Sequence, residues 1–400
     1  MESAKLSKSV VYPSSSMDYF LVCLSGGPCA GKSSVQAILA DVLENNGYRV
    51  YKLPEAATTL FNCGVNFMEL NDEQKYSFQK HIVKFMMALE QPFIDLCKLN
   101  AKVGIKSALI TDRGAMDPSA YIDRDLWLKM LKELDLKEVE LRDCRYDCVI
   151  HMVSAADGAP QFYNLATNTV RTEGVELAKE LDGKIKNAWI GHPYFSIIDN
   201  STGFDEKCNR VVHAVLQRIG MSDKRFGQGI KKRKYLVNPT FDFNSFKVKF
   251  SDFFVEHIYL NSDDGQYRIR KRWNENGVFY SLTIRRLIHD QKIEERRVLT
   301  AREYDSLQSQ QDPTRCTISK VRRCFLHNNH YYQLDFFKQP HGGLMLLEAY
   351  IEDHYKLSLP PFLPIECEVT DDSKYSMFTL SVIQQGIKIV AVEPPAVALS

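Results

Sequence analysis

A glycine-rich segment near the start of the chain has the residue types and spacing of a phosphate-binding loop. Gly26 is followed, after four residues, by Gly31, Lys32 and Ser33, which fits the pattern GxxxxGK[ST]. In such loops backbone N–H groups surround the phosphates, the lysine reaches the outer phosphates and the hydroxyl binds Mg²⁺. The expected nucleotide-binding residues are those of the whole segment: Gly26, Gly27, Pro28, Cys29, Ala30, Gly31, Lys32, Ser33 and Ser34.

The sequence on either side of this segment supports the same interpretation. The uncharged run over residues 19–25 predicts a buried parallel strand. After the loop, apolar residues recur at helical spacing: Val35, Ile38, Leu39, Val42 and Leu43. A strand, a glycine loop and a helix in this order point the N-terminus of a helix at phosphate. We therefore predict an α/β P-loop domain with a parallel sheet that binds a nucleoside triphosphate and Mg²⁺.

Two later segments supply further candidate residues for this site. The apolar run 108–110 predicts a strand that delivers Asp112 and Arg113 at its carboxyl end, where ligands bind in open α/β sheets. Asp112 is expected to hold Mg²⁺ together with Ser33, and Arg113 to meet phosphate oxygens. The alternative is an ion pair that caps the strand. Arg171 is a candidate for a lid arginine at the transferred phosphoryl group, and a surface arginine is the alternative.

Four motifs in the first half resemble P-loop domains of the nucleoside-kinase-like kind, close to the nicotinamide-riboside kinase branch. They are GGPCAGKSS, LPEAA, TDRG and HPYFSIIDNS, and the similarity extends over roughly residues 18–220. The resemblance implies that Glu55 faces an acceptor substrate, where a carboxylate acts as general base. The alternative is an acid placed at a helix start by the macrodipole. The guanine-reading NKxD sequence is missing, so the motifs leave GTP and ATP open.

From about residue 241 onward, short alternating segments predict antiparallel strands with basic faces. Cations on successive strands repel one another unless an anion lies between them. We therefore expect an antiparallel β-barrel, closed or nearly closed, with a basic lumen. The alternative is an ordinary sheet whose outer arginines are solvated. The expected anion- or lipid-binding residues are Arg268, Arg270, Arg285, Lys320 and Arg322.

The same strands resemble the CYTH, or triphosphate tunnel, superfamily across about residues 241–385. The matching positions are Arg268 with Arg270, Thr283 with Arg285, Lys320 with Arg322, then Asp335 and Glu348. Of the amino-terminal acids that bind catalytic metal in the hydrolases, the segment FFVEHIYL retains only Glu256. The resemblance therefore implies an anion-binding tunnel more than a two-metal hydrolase.

The TRPL translocation defect proteins join two such domains in this order. The chain resembles them over nearly its whole length, including the segment LPPFLPIECEVTDDSKYS. This resemblance implies a cytosolic regulator of membrane-channel trafficking that binds GTP and phosphoinositides and associates peripherally with membranes. An enzyme remains the alternative, either a nucleoside or nucleotide kinase or a tunnel triphosphatase.

Composition limits the remaining classes of protein. The 51 basic and 50 acidic residues nearly cancel, which argues against a globally basic nucleic-acid-binding protein. The ten cysteines include no CxxC pair, which favours reduced thiols in a cytosolic protein, with a metal site as the alternative. No apolar run is long enough to predict a membrane-spanning helix.

The change in sequence texture predicts four segments. We expect a flexible arm over residues 1–17, the nucleotide-binding domain over 18–220, a basic linker over 221–240 and the β-domain over 241–400. The linker carries a cluster of four cations: Lys231, Lys232, Arg233 and Lys234. We expect these side chains to be solvated, and attraction to anionic lipid is the alternative.

Overall fold

The computed structural model describes residues 18–163, 174–221, 230–241, 246–288, 291–352 and 357–383. The expected arm over residues 1–17 and Arg171 lie outside these ranges. The strands are β1 Tyr19–Gly26, β2 Arg49–Leu53, β3 Ser107–Asp112, β4 Cys148–Met152, β5 Phe195–Ile198, β6 Ile230–Val237, β7 Phe250–Leu260, β8 Gln266–Asn274, β9 Gly277–Ile288, β10 Gln291–Leu299, β11 Ile318–His327, β12 His330–Gln339, β13 Met345–Glu352 and β14 Ile365–Glu368. The helices are α1 Lys32–Asn45, α2 Ala56–Asn62, α3 Asp72–Lys102, α4 Arg124–Glu133, α5 Val175–Ala188, α6 Phe204–Arg218, α7 Ala301–Gln308 and α8 Met377–Leu380.

The first sheet has five parallel strands in the order β2-β3-β1-β4-β5. Its central strands are apolar on both sides, because helices cover both faces. The residues of β3, for example, are all buried. One apolar cluster joins the sheet to α1 and α6, and a second joins it to α3, α4 and α5. The predicted α/β P-loop architecture with a parallel sheet is confirmed.

The second sheet has nine antiparallel strands in the order β10-β9-β8-β7-β11-β12-β13-β6-β14. The antiparallel architecture predicted from the alternating segments is therefore confirmed. In the described part of the chain, β10 pairs only with β9 and β14 only with β6, so these two strands form the edges. Closure of the sheet into a complete barrel stays a prediction.

The expected basic linker is wrong over its second half, because Ile230–Val237 forms strand β6 inside the second sheet, between β13 and β14. The lysines there are not freely solvated: Lys232 pairs with Glu348 at 2.6 Å, and Lys234 donates to the Tyr375 carbonyl at 2.6 Å. The basic run 231–234 is therefore part of a strand. Its cations pair with acids and carbonyl groups from segments that are distant in the sequence.

The two sheets belong to units that share a hydrophobic cluster. Trp189 and Phe195 from the first unit lie in one cluster with Phe253 and Tyr331 from the second. The backbone N–H of Gly191 donates to the Tyr331 hydroxyl at 3.0 Å, which adds a hydrogen bond across this contact. In the described ranges no helix is both long and apolar enough to cross a membrane.

Candidate functional sites

The phosphate-binding loop connects β1 to α1, as the sequence predicts. Its backbone has φ of 143° at Gly26 and 87° at Gly31, a region that glycine adopts without strain. A Cβ on Gly26 would also lie 2.2 Å from the carbonyl oxygen of Met152 on the neighbouring strand. The backbone conformation at both positions therefore requires glycine. This conformation points the N-terminus of α1 toward the phosphate-binding loop.

Lys32 is folded back across this loop. Its Nζ donates to the carbonyl oxygens of Gly26 at 3.1 Å and Gly27 at 2.9 Å, and the side chain is buried. Burial lowers the pKa of Lys32, and the nearby Arg113 guanidinium acts in the same direction. The loop thus holds a positive charge in place before any phosphate arrives, which limits the reorganisation needed on binding.

Ser33 and Asp112 are positioned to bind a metal ion beside the phosphate-binding loop. We call the loop and these two residues the cradle. The Ser33 hydroxyl donates to Asp112 Oδ2 at 2.8 Å, which joins the start of α1 to the carboxyl end of β3. Asp112 Oδ1 is buried and has no hydrogen-bond partner among the described residues. A hydroxyl beside a carboxylate with a spare oxygen fits Mg²⁺, which prefers oxygen ligands and keeps several waters. Ser33 and Asp112 are the residues that would hold it, as the sequence predicts.

Two buried residues outside the sequence motifs form hydrogen bonds with the backbone of the loop. Asp182 on α5 accepts from the backbone N–H groups of Gly27 at 2.9 Å and Ser154 at 3.0 Å. Lys207 on α6 donates to the carbonyl of Ala30 at 3.2 Å, and burial lowers its pKa to about 8. Neither residue lies in a recognisable motif, because the contacts depend on how distant helices pack against the loop.

Arg113 and Glu55 form a pair beside the cradle. Arg113 Nε lies 2.5 Å from Glu55 Oε1, and the same guanidinium donates to the Gly26 carbonyl at 3.1 Å. Burial raises the pKa of Glu55, but Arg113 and Lys32 outweigh it and lower that pKa to about 2. The two cations therefore keep Glu55 ionised beside the cleft, and its expected role as general base stays a prediction.

A large cleft opens next to this pair. It has a volume of about 1780 Å³, and Pro28 of the loop, Glu55 and Arg113 line it. Asp117 also lines the cleft, where its Oδ1 accepts from Ser25 at 2.7 Å and its Oδ2 has no hydrogen-bond partner among the described residues. The opposite wall comes from the second unit, through residues 249–252 and 273–276. The cradle therefore adjoins a space that could hold a small molecule.

The second candidate site is one surface of the nine-stranded sheet. Directly opposed residues on neighbouring strands point to the same side. The pairing Arg270 with His257, and Val255 with both Arg272 and Lys320, therefore puts these side chains on one side. We call this surface the basic face. Ionisable residues on it include Arg268, Arg270, Arg272, Arg285, Arg296, His257, Lys320, Arg322, Asp335, Glu294, Glu348, Lys232 and Lys234.

One half of the basic face contains two acids, Asp335 and Glu348, that form ion pairs with its cations. Asp335 accepts from Lys320 at 2.6 Å and from Arg322 at 2.6 Å and 2.7 Å. Glu348 contacts Arg322 at 3.2 Å in addition to Lys232. Lys320 and Arg322 were expected to bind an anion directly, but here they are engaged in buried ion pairs. Their expected role in anion binding stays a prediction.

The other half of the basic face contains three arginines that form no ion pair with the described residues. Arg268, Arg270 and Arg296 have no carboxylate within ion-pairing distance among the described residues, and each has a buried N–H group without a hydrogen-bond partner. Burial lowers the pKa of Arg270 strongly, and Arg296 and Arg272 act in the same direction. Arg296 was missed from the sequence, although it lies directly opposite Thr283.

His257 lies in the middle of this charge. Both of its ring nitrogens are buried without a hydrogen-bond partner in the described part of the chain. Burial lowers its pKa well below the usual range, and Arg268 and Lys320 reinforce the effect. The neutral imidazole thus adds no further positive charge to the cluster. Sequence reasoning did not identify this residue, because a single histidine on a strand has no distinguishing spacing.

Arg285 departs from the expected set. It is on the same side of β9, but half of its side chain is exposed and its Nε donates to Glu294 at 2.6 Å. The alternation of the strand places Arg285 correctly, yet the position lies beyond the buried part of the face. The residue is therefore separated from the unpaired arginines by its own acidic partner.

The first unit also contributes an acid to the basic face. Arg272 donates to Asp143 Oδ1 at 3.0 Å, and Asp143 is also bound by Arg142 at 3.1 Å. All three side chains are buried. Arg272 carries out an interdomain role that its strand position alone did not suggest. The ion pair between Arg272 and Asp143 thus joins the basic face to the first unit.

Comparisons with known proteins give one family match and several weak structural matches. Residues 21–207 match the family model of an AAA domain, which covers just under half of the chain. A comparison with curated proteins gives no match. Among solved structures, the inorganic triphosphatase NE1496 is 21% identical and covers 39% of this chain and 99% of its own, with a TM-score of 0.30. The PH1819 protein from Pyrococcus horikoshii OT3 is 14% identical and covers 31% of this chain and 80% of its own, with a TM-score of 0.24.

No conclusion about activity follows from structural matches of this size. The family match and the geometry of residues 26–33 are independent of them. The family match and the loop geometry together identify the first unit as a nucleotide-binding P-loop domain similar to AAA domains. In the same chain it is followed by a nine-stranded antiparallel sheet with a basic face.

Proposed function

We propose that this protein is a nucleoside-triphosphate-binding regulator whose basic face binds a polyphosphorylated anion. The observation that carries the proposal is the group of three arginines, Arg268, Arg270 and Arg296, that lack a carboxylate partner in the described part of the chain. Partly buried like charges are costly unless a counter-ion joins them. A multivalent phosphate supplies several oxygens that guanidinium groups can bind in a bidentate manner.

The finer proposal follows the resemblance to the TRPL translocation defect proteins. The nucleotide is GTP, the anion is a phosphoinositide headgroup, and the protein supports transport of membrane channels. Peripheral membrane association would then come from the basic face, since the cluster over residues 231–234 lies in a strand whose cations have partners.

Titration calorimetry of the full chain tests the nucleotide. GTP, ATP and their diphosphates are compared with and without Mg²⁺, on the native protein and on Ser33→Ala. We expect triphosphates to bind more tightly with Mg²⁺, and Ser33→Ala to remove most of this difference, because it deletes a metal ligand. A Mg²⁺ effect of full size in Ser33→Ala would contradict the assignment of the metal site.

Vesicle sedimentation tests the anion. The full chain is mixed with phosphatidylcholine vesicles that contain phosphatidylinositol phosphates, and with phosphatidylserine vesicles as a control for charge alone. We expect Arg268→Gln with Arg270→Gln to abolish sedimentation with phosphoinositide. The matched control, Lys231→Gln with Arg233→Gln, removes the same charge from β6 and should reduce it only slightly. The reverse ranking would leave a nonspecific basic surface.

A specific observation favours a kinase as the second candidate function. The cleft of about 1780 Å³ lies against the phosphate loop and is lined by Glu55, Arg113 and Asp117. An acceptor molecule bound there would sit beside the outer phosphate. Transfer of labelled γ-phosphate from ATP or GTP to a panel of nucleosides would support this function, whereas the regulator requires no acceptor.

A further inference from the structure

Phe204 is an exposed aromatic residue in direct contact with the phosphate loop. It is the first residue of α6, and 49% of its surface is exposed. A Cβ built on Gly31 would lie 2.4 Å from Cε2 and 2.8 Å from Cζ of its ring. One side of the ring therefore packs on the backbone of Gly31, directly before Lys32. The exposed part of the ring beside the phosphate-binding loop is available to pack against a bound ligand, and burying it there would be favourable.

The segment that presents the ring is fixed to the same loop. Lys207, one turn further along α6, donates to Ala30 and Val153 carbonyls at 3.2 Å and 2.7 Å. Lys207 also donates to Asn200 Oδ1 at 2.8 Å, and Asn200 Nδ2 donates to the Asp157 carbonyl at 2.6 Å. The ring is thus held on a braced turn at the edge of the cradle, so its exposed face has a defined position relative to the phosphates.

We infer that the exposed face of Phe204 is the stacking surface for the base of the bound nucleotide. The inference rests on the nucleotide binding proposed above and assigns the base a place that the phosphate-binding motif leaves open. Flat rings stack on aromatic side chains whatever their hydrogen-bonding edge, because every base has a π-face. Phe204 therefore strengthens the binding of GTP and ATP alike, and selection between guanine and adenine lies with other groups.

Calorimetry on the full chain with three substitutions tests this assignment. Phe204→Leu keeps an apolar contact with Gly31 and removes the aromatic face, Phe204→Tyr keeps the ring, and Lys32→Ala defines which binding depends on the loop. The probes are GTP, ATP and inorganic tripolyphosphate, each in the presence of Mg²⁺. We expect Phe204→Leu to weaken GTP and ATP by roughly tenfold or more, in line with the loss of one base-stacking contact. The Lys32-dependent binding of tripolyphosphate should not change, and Phe204→Tyr should bind like the native protein.

Two results would overturn the inference. Equal losses for nucleotide and tripolyphosphate in Phe204→Leu would show that the ring only supports the loop, and undiminished nucleotide binding would show that the base lies elsewhere. Failure of the proposed function looks different, since no probe would then show binding that depends on Lys32. Thermal unfolding of each variant confirms that the comparison is made between folded proteins.

Discussion

The nucleotide cradle and the basic face solve the problem of buried positive charge in opposite ways. In the cradle, Lys32 is held by two loop carbonyls and Arg113 by Glu55. On the basic face, Arg268, Arg270 and Arg296 have no carboxylate partner in the described ranges. The first site is electrostatically complete and exchanges internal contacts for phosphate. The second is incomplete, and a ligand would supply the missing charge.

This difference changes which residues should control the binding of each ligand. A nucleotide replaces hydrogen bonds that already exist, so its binding depends on a few placed groups. An anion on the basic face relieves repulsion between like charges, so its binding depends on the summed charge of the cluster, and each ligand stabilises the folded chain according to its own affinity.

Lys32→Ala should weaken nucleoside-triphosphate binding by roughly a thousandfold, because it removes a buried, charge-assisted contact to the outer phosphates. Anion binding at the basic face should be unaffected, since no residue of that face contacts Lys32 in the described structure. Calorimetry with GTP and with inositol hexasulfate measures the two separately. Loss of both in the variant would contradict the independence of the two sites.

Asp143→Asn should lower the free energy of unfolding by about 3 kcal/mol, because it leaves Arg142 and Arg272 buried without their shared carboxylate. Urea unfolding followed by circular dichroism gives the value. The exposed residue Asp263 provides a matched control, since Asp263→Asn should change stability by less than about 0.5 kcal/mol. Equal effects of the two substitutions would show that the ion pairs of Asp143 do not contribute to stability.

Arg270→Met should raise the free energy of unfolding by about 1 to 2 kcal/mol when no anion is present, because it deletes a buried charge that its neighbours repel. The same variant should gain less stability than the native protein when inositol hexasulfate is added. Urea unfolding with and without this compound separates the two effects. If Arg270→Met were destabilising without the anion, other groups of the protein would have to compensate the charge of Arg270. This result would contradict the difference proposed between the cradle and the basic face.

The pH dependence of anion binding should report on His257. The cations around it are Arg268 and Arg270 on β8 and Lys320 and Arg322 on β11, and with burial they hold its pKa well below the usual range. A bound anion would raise that pKa, so binding takes up a proton and affinity increases as pH falls. Inositol hexasulfate keeps its own charge in this range, so calorimetry between about pH 8 and about pH 6 isolates the protein.

The same titration predicts an effect on stability without ligand. Because the folded pKa of His257 is depressed, the unfolded chain binds a proton that the folded chain does not. Stability should therefore decrease as pH falls through about 6.5. His257→Gln should lose the pH effect on anion binding and reduce the one on stability, because burial also lowers the pKa of His151, His192 and His213. Undiminished pH effects in this variant would assign them to another group.

Arg285→Gln should have the smallest effect. Its ion pair with Glu294 is half exposed, and such pairs contribute less than about 1 kcal/mol. We expect anion binding and stability close to those of the native protein, measured by the same calorimetry and urea unfolding. A loss as large as that of Arg270→Met would extend the unpaired cluster to the end of β9.

The cradle could be predicted from the sequence because its determinants are local. Gly26, Gly31, Lys32 and Ser33 lie within one short segment, and the strand and helix beside them have clear periodicity. Asp112 was also predictable, since the end of an apolar parallel strand must come to the same edge of the sheet. For the same reason the alternating arginines of β8 identified one side of the second sheet correctly.

Tertiary structure alone decided which charges have partners. Spacing could show that Lys320, Arg322 and Arg270 share a face, but not that Asp335 forms ion pairs with the first two and none with the third. Nor could it show that the basic run around Lys232 is a strand, or that Asp143 reaches Arg272 across the two units. Ion pairs join residues far apart in the chain, and their burial depends on how whole sheets and helices pack. Local sequence therefore determines which groups are available, and long-range packing determines which of them remain unpaired for a ligand.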